Sequence, residues 1–425
     1  MLAQSSSARN SHTPASFIGQ NGHTMDWQIS EDTVPSDFIT DAQIRSILGK
    51  PAATGAWRDG DPVGNRQFAR IGDVTFESGG FVPDVRIAYE TFGALNHARD
   101  NAILVAHALT GDSHLAGEAG PGHPTAGWWG GIVGPGLALD TEKYFVVAPN
   151  MLGSCQGSTG PASLAPDREE WGARFPYTSI RDQVRAQRRL MSLLGIEAWA
   201  AVVGGSMGGM QVLEWGIEYP EKAERLAIIA APSVSSADQI ALNSVQIEAI
   251  RADPLFHHGA YYDAKIGEGP HQGLALARRM ALLNYRSPTE LNDRFERSWQ
   301  SGISPLGHQG RFAVESYLDF HGNKFTRRFD ANAYITLVEA MNSHDVGRGR
   351  GGVIEALRRV TATTLIIGID SDRLFPVADQ QLIARHVRGN IDGTSAHVIS
   401  SRFGHDGFLI EYDSVGAQLK RLLAV

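Results

Sequence analysis

The stretch WAAVVGGSMGGMQVLEWGIEYPE, Trp199–Glu221, decides the fold. A Val-rich apolar run ends in two glycines and a serine, and a segment with helical spacing follows as far as Pro220. Gly204-Gly205-Ser206-Met207-Gly208 matches G-x-S-x-G, and the reason for that spacing is steric. A strand turning sharply into a helix puts the serine at the tip in a strained conformation, and only small neighbours permit the close packing. The helix N-terminus then aims free N–H groups and a positive dipole end at the serine. A structural glycine-rich turn is the competing reading. The strand before and the helix after favour a nucleophile at Ser206.

The same rhythm repeats outward from this corner. VRIAYETFG (Val85–Gly93), AILVAHALTG (Ala102–Gly111), YFVVAPN (Tyr144–Asn150), RLAIIAAP (Arg225–Pro232), TTLIIGIDSD (Thr363–Asp372) and AHVISSRFGHD (Ala396–Asp406) run from apolar to polar. Short Val- and Ile-rich runs ending in polar or glycine loops read as buried parallel strands. Helical patterns alternate with them. One is TSIRDQVRAQRRLMSLLG, with Ile180, Val184, Met191 and Leu194 on one face. The expected class is therefore α/β, a mostly parallel central sheet flanked by helices. Residues 233–352 show helical stretches and no buried strand, and are expected to form a helical lid. Residues 68–232 and 353–425 form the core in this reading, and 1–67 a flexible polar extension.

The bulk composition excludes several classes. The 425 residues are 42% hydrophobic, enough for a substantial core. Net charge is −8, which argues against a nucleic-acid partner. The single cysteine, Cys155, can form no intramolecular disulfide and fits a reducing compartment, here the cytoplasm. No apolar run approaches the roughly 18 residues of a spanning helix, so no membrane partner is expected. Met1–Thr24 lacks a basic segment followed by an apolar one and is read as a disordered leader, with Met25 an alternative start.

A serine needs a base, and the base needs an orienting carboxylate. In this fold class the order is Ser, then Asp or Glu, then His. GIDSDRLFP offers Asp370 and Asp372, and FGHDGF offers His405 with Asp406 beside it, each after an expected strand. The developing oxyanion needs preorganised donors. The Met207 amide and the loop HALTGD (His107–Asp112) are the candidates. Rival sites fare worse. GRGRGG (Gly347–Gly352) fits G-x-G-x-x-G without a strand before it. His257-His258 lacks further ligands, and one cysteine cannot build a thiolate zinc site, so no metal is expected. Cys155 is read as structural, with a Cys–His nucleophile as its less favoured alternative.

HALTGDSH, NMLGSCQGSTGP, FPYTSIRDQVRAQ, GGSMGGMQVLEW, ARRMALLNYRS, RFAVESYLDF and GHDGFL together resemble the homoserine O-acetyltransferases. These are α/β-hydrolase-fold enzymes of methionine biosynthesis, and the resemblance runs from about Ile71 to the C-terminus. It implies an acetyl-accepting Ser206, His405 as general base and acid, and Asp372 as its orienting acid, with Asp370 the poorer match. It further implies oxyanion amides at Leu109 and Met207, and Arg278 on the homoserine carboxylate with Tyr285 nearby. Asp406 would hold the ammonium, so that each charge of an amino acid meets its opposite. Gly407 departs from the family's alanine. Acetyl-CoA and L-homoserine are the implied substrates, with no permanently bound cofactor, and a homodimer through the lid is implied. Relatives that use serine or succinyl-CoA, and a simple esterase, are the alternatives.

Overall fold

Apolar runs with no polar side are stable as strands only inside a sheet covered on both faces. The computed structural model, which describes residues 44–307 and 309–425, places them there. The strands of the main sheet are β1 (Gln67–Thr75), β2 (Phe81–Phe92), β3 (Ala102–Ala106), β4 (Phe145–Pro149), β5 (Ala201–Gly205), β6 (Arg225–Ile229), β7 (Thr363–Ile369) and β8 (His397–Ile399). Their order across the sheet is β1-β2-β4-β3-β5-β6-β7-β8. The β1–β2 and β2–β4 pairs are antiparallel and the rest parallel. β1 falls outside the strands expected from sequence. It is an edge strand with exposed positions and two register shifts around Gly72, so it carries no continuous apolar run.

The helices are α1 (Ile180–Leu193), α2 (Met207–Glu218), α3 (Ala237–Arg251), α4 (His271–Tyr285), α5 (Pro288–Phe295), α6 (Ala313–Phe325), α7 (Ala331–Asn342), α8 (Val353–Leu357), α9 (Val377–His386), α10 (Gly407–Ile410) and α11 (Tyr412–Leu423). Ser179 and Asp182 close a capping box at the start of α1. Alternate strand residues feed two cores. Leu104 and Val202 pack with Val184 of α1 and Leu213 of α2, whereas Ile103, Val105 and Val203 pack with Val415 and Leu419 of α11. The chain leaves the sheet after β6, makes α3 to α8, and returns at the neighbouring strand β7.

The extension expected to stay flexible to residue 67 needs correction where it is described. Residues 44–66 are a strap bonded to the body. Ile44 and Ile47 are buried, the Thr54 hydroxyl donates to Asp330 Oδ1 at 2.8 Å, and the Trp57 amide donates to Cys155 O at 2.9 Å. Arg66 is buried on Gln156, with Nη2 donating to Oε1 at 2.8 Å. The strap is held by distant backbone and side-chain groups, so its own polar sequence gives no sign of it. Residues 1–43 and the alternative start at Met25 lie outside the described residues.

The glycine-arginine motif at 347–352 is an ion-pair clasp. Arg350 bridges Glu214 at 2.6 Å and Glu218 at 3.1 Å, Arg348 meets Glu77 at 2.8 Å, and Arg181 reaches Glu214 at 3.4 Å. The Glu214 side chain is 1% exposed. Removing one partner of a buried pair strands the others. Glu214→Ala is therefore expected to destabilise the fold by about 3–5 kcal/mol, read as a lower urea midpoint at unchanged slope.

Candidate active site

Ser206 stands between β5 and α2 with φ 59° and ψ −126°. A non-glycine residue there stores on the order of 1–3 kcal/mol of strain, tolerated because the surroundings fix it. The neighbouring glycines make that corner possible. A Cβ on Gly208 would lie 2.1 Å from Ala106 O, and one on Gly205 would lie 2.4 Å from a ring carbon of Phe408. α2 thus begins against the end of β3. Ser206 O accepts from the Met210 amide at 3.1 Å. The peptide is trans, so the Met207 N–H points the opposite way, out of the helix N-terminus.

Asp372 follows β7, and His405 lies on a 3-10 turn, Gly404–Asp406, after β8. His405 Nδ1 is 2.6 Å from Asp372 Oδ2, while Asp372 Oδ1 accepts the Leu374 and Phe375 amides, both at 2.9 Å. The carboxylate therefore cannot swing, and it fixes the proton on Nδ1. Asp370 does not share this place; its Oδ1 accepts the Ser401 amide at 2.9 Å and ties β7 to the segment after β8. His405 is packed by Phe375, Phe408 and Tyr285, with ring centroids at 5.2, 5.5 and 5.9 Å. Burial works against the imidazolium, but Asp372, through charge and hydrogen bond, and Asp406 outweigh it and hold the pKa above the ordinary histidine value. His405 Nε2 is buried without a hydrogen-bond partner, so the bond to Ser206 is not formed here. Such bonds often tighten only with substrate in place.

The loop after β3 turns at Thr110, whose φ is 72°. Ala108 O accepts the Gly111 amide at 2.8 Å and lies 2.9 Å from His107 Nδ1. His107 Nε2 accepts the Met151 amide at 3.0 Å, so Nδ1 carries the proton. With Ala108 O held on one side, the trans peptide aims the Leu109 N–H to the other.

The amino-acid-binding candidates come from α4 and the turn after β8. The Arg278 guanidinium lies 5.5 Å from the Tyr285 ring centroid and 5.1 Å from that of Phe325. Its Nη1 is 3.4 Å from Thr110 Oγ1, and it pairs with no carboxylate among the described residues. Asp406 Oδ2 meets Arg286 Nε at 3.1 Å. Arg286 went unnoticed in the sequence. The only signal was that a shielded Asp406 requires a cation, and no spacing connects positions so far apart. Burial raises the Asp406 pKa, and the charges of Arg286, His405 and Arg278 oppose that rise. His321 of α6 registers the same positive field. Burial first, then Arg278, Lys324, Arg286 and Arg294, push its pKa down to about 3.

Glu90, His114 and His123 cluster with metal-like proximity in the interior. The two imidazoles are stacked, 3.8 Å apart and 11° from parallel. In-plane lone pairs of stacked rings cannot converge on one ion. His114 instead faces Glu90 Oε2 at 3.1 Å and Glu118 O at 3.2 Å, both acceptors; burial disfavours its charged form, but these contacts outweigh it and raise its pKa. Burial raises the Cys155 thiol to about 12, which leaves no thiolate for a Cys–His nucleophile.

An α/β-hydrolase-fold family profile matches residues 101–412. The chain is 69% identical over 401 residues to a homoserine O-acetyltransferase of Leifsonia xyli subsp. xyli (strain CTCB07), covering 94% of this chain and 100% of that one. It is 57% identical over 373 residues to a homoserine O-acetyltransferase of Thermobifida fusca (strain YX), covering 88% and 97%. Among solved structures, a homoserine O-acetyltransferase from Bacillus anthracis superposes with a TM-score of 0.77 at 29% identity, covering 85% and 97%. The chain belongs to the homoserine O-acetyltransferase family of the α/β hydrolases.

Proposed function

We propose that this chain moves acetyl from acetyl-CoA to the side-chain hydroxyl of L-homoserine through an acetyl-Ser206 intermediate. His405 takes the Ser206 proton, the serine oxygen attacks the thioester carbonyl, and the tetrahedral oxyanion rests on the Leu109 and Met207 amides. Collapse breaks the carbon–sulfur bond, and His405 returns the proton to the leaving thiolate. Homoserine then enters with its carboxylate on Arg278, beside Tyr285, and its ammonium on Asp406. His405 deprotonates its hydroxyl, which attacks the acetyl carbon; the ester bond to Ser206 breaks, His405 returns the proton to the serine oxygen, and O-acetyl-L-homoserine leaves. The scheme uses no metal and no permanently bound cofactor.

The observation that carries this reading is that Arg278, without a carboxylate partner among the described residues, lies against the same Tyr285 ring that packs His405, with Asp406 next to His405 in the chain. Asp406 serves Arg286 through Oδ2, and a carboxylate has further lone pairs for an ammonium. A second reading, hydrolysis, is supported by solved esterases of this fold, among them esterase E22, which superposes with a TM-score of 0.76 at 26% identity, covering 84% of this chain and 99% of that one. The scaffold alone does not separate transfer from hydrolysis; a charged acceptor site does.

Thiol release should therefore be fast with acetyl-CoA plus homoserine, and slow with serine, with succinyl-CoA, or without acceptor. Equal release without acceptor would make the protein a hydrolase. Arg278→Ala should raise the homoserine KM about 100-fold, as expected for a lost charge-assisted carboxylate contact, while acetylation of Ser206 proceeds unchanged.

A second copy of the chain is the proposed partner. Ile240 and Val245 of α3 and Leu276 and Leu283 of α4 expose apolar surface on the lid, and sedimentation should give twice the chain mass. No helix among the described residues is long and apolar enough to cross a membrane. The single cysteine and the acetyl-CoA donor support action in the cytoplasm.

A further inference from the structure

Arg328 lies in the turn between α6 and α7, outside the expected site, yet its side chain reaches the loop that carries Leu109. Nη1 donates to Asp112 Oδ2 at 2.9 Å, and Nη2 donates to the Thr110 carbonyl. The fork is braced from behind. Arg328 O accepts Gln156 Nε2 at 2.6 Å, and a Cβ on Gly55 of the strap would lie 2.5 Å from Arg328 N. Asp112 is equally fixed, with Oδ1 accepting the His114 amide at 2.9 Å and its carbonyl accepting Trp128 Nε1 at 3.0 Å.

The loop needs such a brace. Thr110 is held at φ 72°, where a non-glycine residue sits only under external constraint. A relaxed Thr110 would turn the Leu109–Thr110 and Thr110–Gly111 peptides and break the Gly111 bond to Ala108 O, freeing the Ala108–Leu109 peptide that presents the Leu109 N–H. We propose that Arg328 is a positioning residue for the acyl oxygen: clamped between Thr110 O and Asp112, it holds the Ala108–Gly111 turn in the form that aims the Leu109 amide. Asp112 cancels its charge, so Arg328 acts through the loop. Arg278 touches the same threonine through Thr110 Oγ1 at 3.4 Å, so two lid arginines meet at one core residue. The lid and the oxyanion site are one mechanical unit.

The inference rests on the acetyl-Ser206 reading, and the test separates the two. Rapid-mixing measurement of CoA release gives the acetylation rate, and steady-state assays give the homoserine KM. Arg328→Ala should slow acetylation about 100-fold, the scale of losing one oxyanion donor, and leave the homoserine KM within about twofold. Arg328→Lys keeps a charge for Asp112 but lacks the planar fork, and should lose about 10-fold. Millimolar methylguanidinium should raise the Arg328→Ala rate several-fold, which no loss of overall fold would permit. Asp112→Asn supplies the same comparison should Arg328→Ala fail to fold, and should also slow acetylation. Full-rate acetylation in Arg328→Ala, or slowing that neither lysine nor methylguanidinium relieves, overturns the inference. Thiol release by Ser206→Ala at the normal rate would overturn the acetyl-serine reading instead.

Discussion

Ser206→Ala is expected to lower CoA release about 10⁴-fold or more while the protein stays folded. The loss is large because every proposed step passes through one oxygen. In the proposed scheme His405 activates the Ser206 hydroxyl, and the Leu109 and Met207 amides would receive the oxyanion formed by attack from Ser206. The fold should survive because alanine removes one atom from a residue that is 5% exposed and whose backbone is held by the Ile229 and Met210 bonds. Alanine also inherits the φ of 59°, so the strain persists and the melting temperature should scarcely move. Mass spectrometry after mixing with acetyl-CoA alone provides the second reading. The native chain should gain one acetyl group on the peptide containing Ser206, and the variant none. Acetylation elsewhere at the native rate would sink the assignment.

Asp372→Asn should cost about 10⁴-fold in turnover, for a different reason. Asn fits the same space, but its amide can donate to His405 Nδ1 and so favour the tautomer with the proton on Nε2. That nitrogen then cannot accept from Ser206. The pH profile distinguishes this from a general loss of structure. His405 must be neutral to act as base, and its pKa is raised by Asp372 and Asp406 despite burial. Acetylation in the native protein should therefore climb with pH through a value above about 6.5. With Asp372 neutral, burial dominates and the imidazolium is disfavoured. The acid limb should move to lower pH even as the plateau drops. An unmoved acid limb would mean that a group other than His405 titrates.

These expectations differ in how far they could be read from the chain. The G-x-S-x-G corner was legible because its chemistry is local: strand, glycines, serine and helix are contiguous. Asp372 and His405 were legible because buried parallel strands announce themselves by continuous apolar runs, and functional groups gather where those runs end. Choosing Asp372 over Asp370 was another matter. Both sit in the same loop, and the residues alone left them open; the family resemblance preferred Asp372, and its hydrogen bonds to Leu374, Phe375 and His405, against the Ser401 tie of Asp370, give the physical reason. β1 escaped notice because an edge strand with bulges does not alternate cleanly.

The sequence by itself determined the α/β architecture, the nucleophile corner and the family, because those depend on periodicity and contiguous motifs. Only the tertiary structure decided that residues 44–66 are a strap, that Arg286 neutralises Asp406, and that Arg328 and Asp112 hold the loop bearing Leu109. It also turned the glycine-arginine motif into an ion-pair clasp and stacked the His114 and His123 rings beside Glu90. The physical reason is shared. Each is an electrostatic or steric pairing between groups far apart in the chain. Charge and ring geometry leave no periodic trace in sequence, and such pairings exist only once the fold has set the distances.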